Sequence, residues 1–251
     1  MNIHVSANAD ALSISAAEWM TGYISKVLLQ KERFSLVLSG GSTPKKLHAV
    51  LADENFRNKI DWDRIDFFWG DERFIPFADE RNNAAMAFDT LLNHVPVKKE
   101  NIYIMQTENI SPEESAIQYE RLLKEYFHQY NNTAVQNTFD LVLLGMGDDG
   151  HTLSLFPGLD EIIFEKEKWC TSLWLEAQNM FRITLTAPVV NAAAAVAFLV
   201  NGKNKSAALH EVLYGNFNPH LYPSQIIKPI HGELHWFVDE ESYQLPVADN
   251  V

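Results

Sequence analysis

The sequence predicts a single α/β domain built on a mainly parallel sheet that helices cover on both faces. Short apolar runs rich in β-forming residues predict strands at residues 35–38, 65–69, 101–105, 139–144, 183–185, 195–200 and 234–238. Most of these runs are largely continuous in apolar residues instead of apolar at every second residue, which is typical of strands buried on both faces. Segments with helical spacing lie between most of them, and this alternation predicts a Rossmann-like arrangement of parallel strands joined by crossover helices.

The helical segments carry their own signals. Apolar residues recur every three or four positions within residues 16–27 and again within 116–126. Ser111 followed by Pro112 and by a glutamate three residues later is a strong helix start, so we predict a helix over residues 112–130. The polar stretch 129–137 predicts a surface loop and not a linker. We therefore expect one domain over residues 1–251.

Composition and charge exclude several classes of function. Among 251 residues, 20 Lys and Arg face 33 Asp and Glu, which gives a formal net charge of −13. An acidic chain repels polyanions at long range, so neither nucleic acid nor an anionic membrane is an expected partner. Cys170 is the single cysteine, the first residues lack the pattern of a signal peptide, and the longest apolar run, 192–200, is too short for a membrane span. We expect a cytoplasmic protein.

Ligands of open α/β sheets bind at the carboxyl ends of the strands, and three segments that leave predicted strands stand out there. The first is 39–44, with the sequence SGGSTP. Gly40 and Gly41 allow a tight turn, and the amides of the following helix start, with the hydroxyls of Ser42 and Thr43, favour an anion site. The Gly-Lys-Ser/Thr ending of a nucleotide P-loop is missing, which favours a phosphate monoester. The alternative is a plain turn with a helix cap.

The second segment, WGDERFIP at residues 69–76, follows the predicted strand 65–69. Its Asp71, Glu72 and Arg73 place one fixed cation beside two carboxylates at a strand end. The alternative is a surface turn closed by a salt bridge.

The third segment covers residues 143–158 and contains GMGDDGHT. Its glycines match the G-x-G-x-x-G dinucleotide fingerprint by spacing, but we reject that interpretation. Asp148 and Asp149 would lie where a pyrophosphate must approach, and a Pro-Gly pair stops any helix after about two turns. What remains is a glycine turn that presents Asp149 and His151 together, as in a general base oriented by a carboxylate. The alternative is a structural histidine.

Other chemistries find little support. The sequence has no Gly-x-Ser-x-Gly elbow, and Cys170 has no nearby histidine, so water is the expected attacking group. His231 and His235 have i, i+4 spacing but flank a strand-like run, which makes a helical zinc pair improbable. We expect neither a metal nor another cofactor.

Taken together, the three segments resemble motifs of the glucosamine-6-phosphate isomerase/6-phosphogluconolactonase superfamily and occur in the same order as those motifs. The resemblance covers nearly the whole chain. The run 182–186 and, further on, Gly202 with Lys205 extend the resemblance. Deaminases of this superfamily typically have Asp-Glu-Tyr where this chain has Asp-Glu-Arg at 71–73, ending in Arg73. They typically have Asn-Glu-Pro where this chain has Leu-Phe-Pro at 155–157. Both differences favour the lactonase branch. Two departures from that branch are Asn82, where it commonly has Ser, and Asp148, where it often has Pro.

The resemblance implies hydrolysis of 6-phospho-D-glucono-1,5-lactone to 6-phosphogluconate in the pentose phosphate pathway. On this basis His151 is the expected general base with Asp149 beside it, and Arg73 holds the lactone or its oxyanion together with amides near Gly147. The expected phosphate contacts are Gly40, Gly41, Ser42, Thr43, Arg182 and Lys205. Two alternatives remain: a glucosamine-6-phosphate deaminase that uses an acidic base from the Asp-Glu turn, and a sugar-phosphate sensor without catalysis. The oligomeric state is left open.

Overall fold

A computed structural model describes residues 1–130 and 138–244. Its strands are β1 (Asn2–Ser6), β2 (Phe34–Leu38), β3 (Ile65–Trp69), β4 (Asp71–Arg73), β5 (Leu141–Gly145), β6 (Cys170–Leu175), β7 (Met180–Leu185), β8 (Ala195–Val200) and β9 (Glu233–Asp239). Its α-helices are α1 (Ala9–Leu28), α2 (Ser42–Ala52), α3 (Glu54–Arg57), α4 (Asn83–Ala87), α5 (Pro112–Tyr130), α6 (Asp160–Ile163), α7 (Ala187–Asn191), α8 (Ser206–Tyr214) and α9 (Glu240–Tyr243).

The main sheet is parallel throughout and has the order β1-β9-β8-β5-β2-β3. Every residue of β2, β3 and β8 is buried, which explains why these strands are apolar apart from Ser35 and Asp66. Successive side chains of β2 point to opposite faces, so Leu36 packs with α1 and α2 while Val37 packs with α5. The predicted α/β class, with a parallel sheet between two layers of helices, is confirmed.

A second, antiparallel sheet of three strands, in the order β4-β7-β6, lies beside the main one. The predicted strand 183–185 belongs to β7 and therefore to this sheet. The chain passes from β3 to β4 through Gly70 alone, and the amide of Leu185 donates to the carbonyl of Gly70 at 2.8 Å. This short passage places the residues of β4 next to the carboxyl end of the parallel sheet.

The predicted strand at 101–105 is wrong. The chain there forms a 3₁₀ turn, Lys99–Asn101, followed by a single bridge between Ile102 and Phe67 of β3. Only one residue pairs with the edge of the sheet, so no ladder forms. The predicted surface loop 129–137 begins inside α5, and its residues 131–137 lie outside the described residues.

Helix α5 is confirmed with the predicted bounds, and Ser111 caps it by accepting the amide of Glu114 at 3.1 Å. A transmembrane helix is not found within residues 1–130 and 138–244, where no helix is both long and apolar enough to cross a bilayer.

Candidate active site

A cavity of about 250 Å³ lies where β2, β5 and β8 end and β4 and β7 pass beside them. It is lined by all but one of the site residues that the sequence predicts: Gly40, Gly41, Ser42, Thr43, Arg73, His151, Arg182 and Lys205. The remaining one, Asp149, is hydrogen-bonded to His151. Residues from five separate segments thus meet at one edge of the sheet, as expected for an open α/β fold.

The turn after β5 holds His151 and Asp149 as a pair. The Gly147 amide donates to the His151 carbonyl at 2.8 Å, which closes the turn. Oδ1 of Asp149 accepts the backbone amide of His151 at 3.0 Å and lies 2.6 Å from its Nδ1. A neutral His151 ring therefore carries its proton on Nδ1 and leaves the Nε2 lone pair free to act as a base.

The surroundings of this pair favour an ionised Asp149 and a fixed His151 ring. Partial burial opposes the ionisation of Asp149, but hydrogen bonds from His151 and its charge outweigh that effect, so the pKa of Asp149 lies below its usual value. The His151 ring also packs on Phe156, with ring centroids 4.3 Å apart. The hydrogen bond at Nδ1 and the packing on one face of the ring together restrict the orientation of the imidazole.

Gly147 makes this arrangement possible. A Cβ atom at this position would lie 2.0 Å from Nδ1 of His151 and 2.4 Å from Oδ1 of Asp149, closer than any real contact. The pair therefore occupies the space that any other side chain at 147 would fill.

Two arginines face each other across the antiparallel sheet, since Arg73 of β4 pairs in register with Arg182 of β7. Nη1 of Arg73 donates to Oδ1 of Asn83 at 2.5 Å and to the Arg81 carbonyl at 2.8 Å. Nε and Nη2 of Arg73 have no hydrogen-bond partner among the described residues. This guanidinium is therefore held in place while part of it remains available to a ligand.

Arg182 is more deeply placed, with 4% of its surface exposed. It donates from Nη2 to Oε1 of Gln178, and its Nη1 lies 3.7 Å from Oδ2 of Asp71. Burial lowers the pKa of Arg182 and Asp71 counteracts this, while Arg73 lowers it further. Its Nε is buried without a partner in the described part of the chain.

The loop after β2 leads directly into α2, whose first residue is Ser42. The hydroxyl of Thr43 donates to Asn201 at the end of β8, so this side chain is already engaged. Lys205 ends a 3₁₀ turn that begins after Gly202, and the buried Asp239 accepts the Gly202 amide at 3.0 Å. The Lys205 ammonium makes no hydrogen bond or ion pair within residues 1–130 and 138–244. A helix start and an unpaired lysine thus share the cavity.

The other acidic groups of the Asp-Glu-Arg turn have structural partners. Asp71 accepts the Ser154 hydroxyl at 2.7 Å. The carboxylate of Glu72 accepts the amides of Arg73, Asn83 and Ala84 at 2.7–2.8 Å, which ties β4 to the start of α4. Burial raises the pKa of Glu72 to about 7 against the effect of these hydrogen bonds. Both carboxylates therefore support the turn, which disfavours either as the base of a deaminase.

Outside the three segments that the sequence singles out, sequence reasoning missed two polar residues of the cavity lining, Asn83 and Gln178. The helix start at Asn82 and Asn83 was a visible signal, but the contact with Arg73 was not. The two departures from the lactonase pattern lie outside the lining: Asn82 caps α4 by accepting the Ala85 amide at 2.9 Å, and Asp148 is exposed. Serine is an equally good N-cap, so Asn82 preserves that function.

The described residues contain no group of three or more His, Cys, Asp or Glu side chains that could hold a metal ion. His235 lies in β9, and its ring nitrogens contact His4 at 3.1 Å and Glu233 at 2.9 Å.

Comparison with known proteins agrees with the motifs. A family model described as glucosamine-6-phosphate isomerases/6-phosphogluconolactonase matches residues 7–236. The chain belongs to this family. Within it, the chain is 35% identical over 240 residues to a 6-phosphogluconolactonase of Synechocystis, with 96% of each chain covered. A 6-phosphogluconolactonase of Haemophilus influenzae is 32% identical over 208 residues, which cover 83% of this chain and 85% of the relative.

Solved structures of the glucosamine-6-phosphate isomerase/6-phosphogluconolactonase family share the fold. A 6-phosphogluconolactonase of Thermotoga maritima superposes with a TM-score of 0.80 at 28% identity, covering 95% of this chain and 99% of the other. A monomeric glucosamine-6-phosphate deaminase has a TM-score of 0.82 at 19% identity over 98% of this chain and all of the other. At that identity the deaminase shows the common fold and nothing more.

Proposed function

We propose that this protein hydrolyses 6-phospho-D-glucono-1,5-lactone to 6-phosphogluconate, as a step of the pentose phosphate pathway. The observation that carries the proposal is the His151–Asp149 pair at the wall of a cavity whose other charged groups include three cations, Arg73, Arg182 and Lys205. The relatives named 6-phosphogluconolactonase, at 32–36% identity, support the same activity. The lone buried Cys170 fits a reducing compartment, and we place the reaction in the cytoplasm.

Water is the attacking group in the mechanism we propose. Nε2 of His151 takes a proton from a water molecule as the water oxygen bonds to C1 of the lactone. Asp149 stabilises the resulting imidazolium through Nδ1. When the tetrahedral intermediate collapses, the bond between C1 and the ring oxygen breaks, and the imidazolium returns its proton to that oxygen. A lactone is an activated ester, so a positioned water and one base suffice without a covalent nucleophile.

Arg73 stabilises the oxyanion that forms on the lactone carbonyl. Its Nε and Nη2 are the donors left free, while Asn83 and the Arg81 carbonyl hold Nη1. Among the amides expected near Gly147, that of Gly147 itself is already engaged, because it donates to the His151 carbonyl at 2.8 Å. We therefore assign the stabilisation to the guanidinium.

The phosphate group binds where the loop from Gly40 to Thr43 starts α2. Free amides at a helix start attract an anion, and Lys205, which has no partner in the described part of the chain, adds a charge-assisted hydrogen bond. Arg182, which also lines the cavity, adds a further positive charge beside the bound substrate.

The test is lactone hydrolysis by metal-stripped protein, coupled to oxidation of 6-phosphogluconate and followed by rapid mixing because the lactone also hydrolyses unaided. His151→Ala should lower kcat by about 10²- to 10⁴-fold, the usual contribution of a general base, with little change in substrate binding. The matched control is His220→Ala. His220 pairs with Asp160 at 2.7 Å in the same way, but on the surface and outside the cavity lining, so its loss should leave kcat unchanged.

Near-wild-type turnover by a folded His151→Ala protein would remove this base from the mechanism. Activity that chelation abolishes and only a divalent ion restores would refute metal-free hydrolysis. Release of ammonia from glucosamine 6-phosphate would indicate the deaminase, and binding of 6-phosphogluconate without any turnover would indicate a sensor.

A further inference from the structure

We propose that Asn83 is a positioning residue for the reaction: its side-chain oxygen holds the Arg73 guanidinium against the cavity, at a fixed distance from residues 40–43, the proposed phosphate loop. This inference rests on the role proposed above for Arg73. Asn83 lies at the start of α4, lines the cavity and is 2% exposed.

The hydrogen bonds of Asn83 fix the orientation of its amide. Nδ2 donates to the Asp71 carbonyl at 2.8 Å, and Oδ1 accepts Nη1 of Arg73 at 2.5 Å. The reversed orientation would point the amide nitrogen at the guanidinium and the oxygen at a carbonyl, so both contacts would become repulsive. The backbone amide of Asn83 also donates to Glu72 at 2.7 Å, which anchors the residue from a third direction.

A neutral amide suits this position better than a charged acceptor would. A carboxylate on Nη1 would also hold Arg73, but it would cancel much of the positive charge that an oxyanion needs. It would moreover face the Asp71 carbonyl with a second acceptor. Without any acceptor at 83, Arg73 would keep only its bond to the Arg81 carbonyl, and a long flexible side chain with one anchor samples many rotamers.

The same oxygen touches the phosphate loop. A Cβ atom on Gly40 would lie 1.9 Å from Oδ1 of Asn83, so the loop backbone packs directly against the group that holds Arg73. Asn83 therefore sets the separation between the proposed oxyanion donor and the proposed phosphate site. A misplacement at this residue affects alignment between the two ends of the substrate, not affinity for either end alone.

The neighbouring Asn82 provides a matched control. It is also 2% exposed, begins the same helix and uses its Oδ1 in a hydrogen bond, but its partner is the Ala85 amide and not Arg73. Loss of the Asn82 side chain removes one hydrogen bond at the α4 start, and loss of the Asn83 side chain removes two, to the Asp71 carbonyl and to Arg73. Only loss of Asn83 releases Arg73.

The experiment is a double-mutant cycle on kcat with Asn83→Ala, Arg73→Ala and their combination, beside Asn82→Ala. We expect Asn83→Ala to lower kcat by about 10- to 100-fold, as for a lost hydrogen bond to a charged group, with KM changed only a few-fold. The double variant should be no slower than Arg73→Ala, because Asn83 acts through Arg73. Asn82→Ala should also lose stability in urea, but it should keep its kcat.

The result that would overturn the proposal is a double variant whose loss equals the product of the two single losses, with Arg73→Ala itself slow. Full turnover by Arg73→Ala would instead overturn the role proposed for Arg73, and with it this inference. Should Asn83→Ala not fold, the isosteric Asn83→Asp decides: it should lower kcat at least about 10-fold by neutralising Arg73, whereas Asn82→Asp, a good N-cap, should not. Equal kcat values for the two aspartate variants would overturn the proposal.

Discussion

A Gly147→Ala substitution should displace the His151 and Asp149 side chains and leave the other residues of the site in place, so it tests the geometry of this pair alone. The added methyl carbon would lie 2.0 Å from Nδ1 of His151 and 2.4 Å from Oδ1 of Asp149. Gly147 is not among the glycines with a positive φ angle, so the backbone accepts alanine. Both obstructing atoms are the ends of side chains, so these side chains move and the fold persists.

The size of the effect follows from these distances. Side-chain carbons in proteins do not approach other atoms closer than 3.0 Å, so the imidazole must withdraw by about 1 Å from a starting distance of 2.0 Å. A displacement of about 1 Å at a reacting group can cost about 10²-fold in rate. We expect kcat to fall by about that factor and KM to change little, because residues 40–43, the proposed phosphate loop, are not displaced. The free energy of unfolding should stay within about 1 kcal/mol of its original value.

The assay is the coupled hydrolysis described above, combined with urea unfolding of each variant. Gly22→Ala is the control, since it makes the same chemical change inside α1 with no atom within 4 Å of the new Cβ. That variant should gain about 1 kcal/mol of stability from helix propensity and keep its kcat. A folded Gly147→Ala protein with the original kcat would refute the claim that this close approach matters.

The remaining predictions concern the phosphate site and pH. Lys205→Ala should lower kcat/KM for the phosphorylated lactone by about 10- to 150-fold and leave unphosphorylated gluconolactone almost untouched; equal losses on both would show a role in folding or chemistry. Burial lowers the pKa of His48 from 6.5 to about 4, and its Nε2 has no partner among the described residues. The unfolded chain therefore binds this proton first as the pH falls, so the free energy of unfolding should drop by about 3 kcal/mol between pH 7 and pH 4. His48→Leu should lack that share of the drop in urea titrations at the two pH values, and identical losses would contradict the assignment.

Local signals explain which elements could be predicted. Helix α5 has a cap, a proline and a glutamate in sequence order, β8 is an uninterrupted apolar run, and β3 is interrupted only by Asp66, so their predicted bounds are confirmed. By contrast, β4 consists of Asp-Glu-Arg, a triplet with no strand pattern. It is a strand because β7 pairs with it, a contact between residues more than 100 positions apart.

The site divides in the same way. That the turns after β2 and β5 meet could be predicted, because the carboxyl ends of parallel strands share one edge. That Arg182 faces Arg73 depends on the register of an antiparallel pair, which periodicity does not contain. Two contacts could not be predicted from the sequence: the close approach of Gly147 to the His151–Asp149 pair, and the hydrogen bond between Asn83 and Arg73. Both are visible only in the folded chain.

The net charge of the cavity lining is positive, whereas the net charge of the chain is negative. The number of positive and negative groups in the lining affects how readily the product is released. The chain carries −13, whereas the cavity lining contains Arg73, Arg182 and Lys205 against Asp71, a formal balance of 3 − 1 = +2 with His151 neutral. Low-dielectric walls concentrate such a field, which attracts a phosphorylated substrate into the cavity of an acidic protein. Hydrolysis then creates a carboxylate where the neutral lactone carbonyl was, so the product is held more strongly than the substrate by any uncompensated cation. Asp71, 3.7 Å from Arg182, offsets one cation, and we expect its charge to favour release of the product.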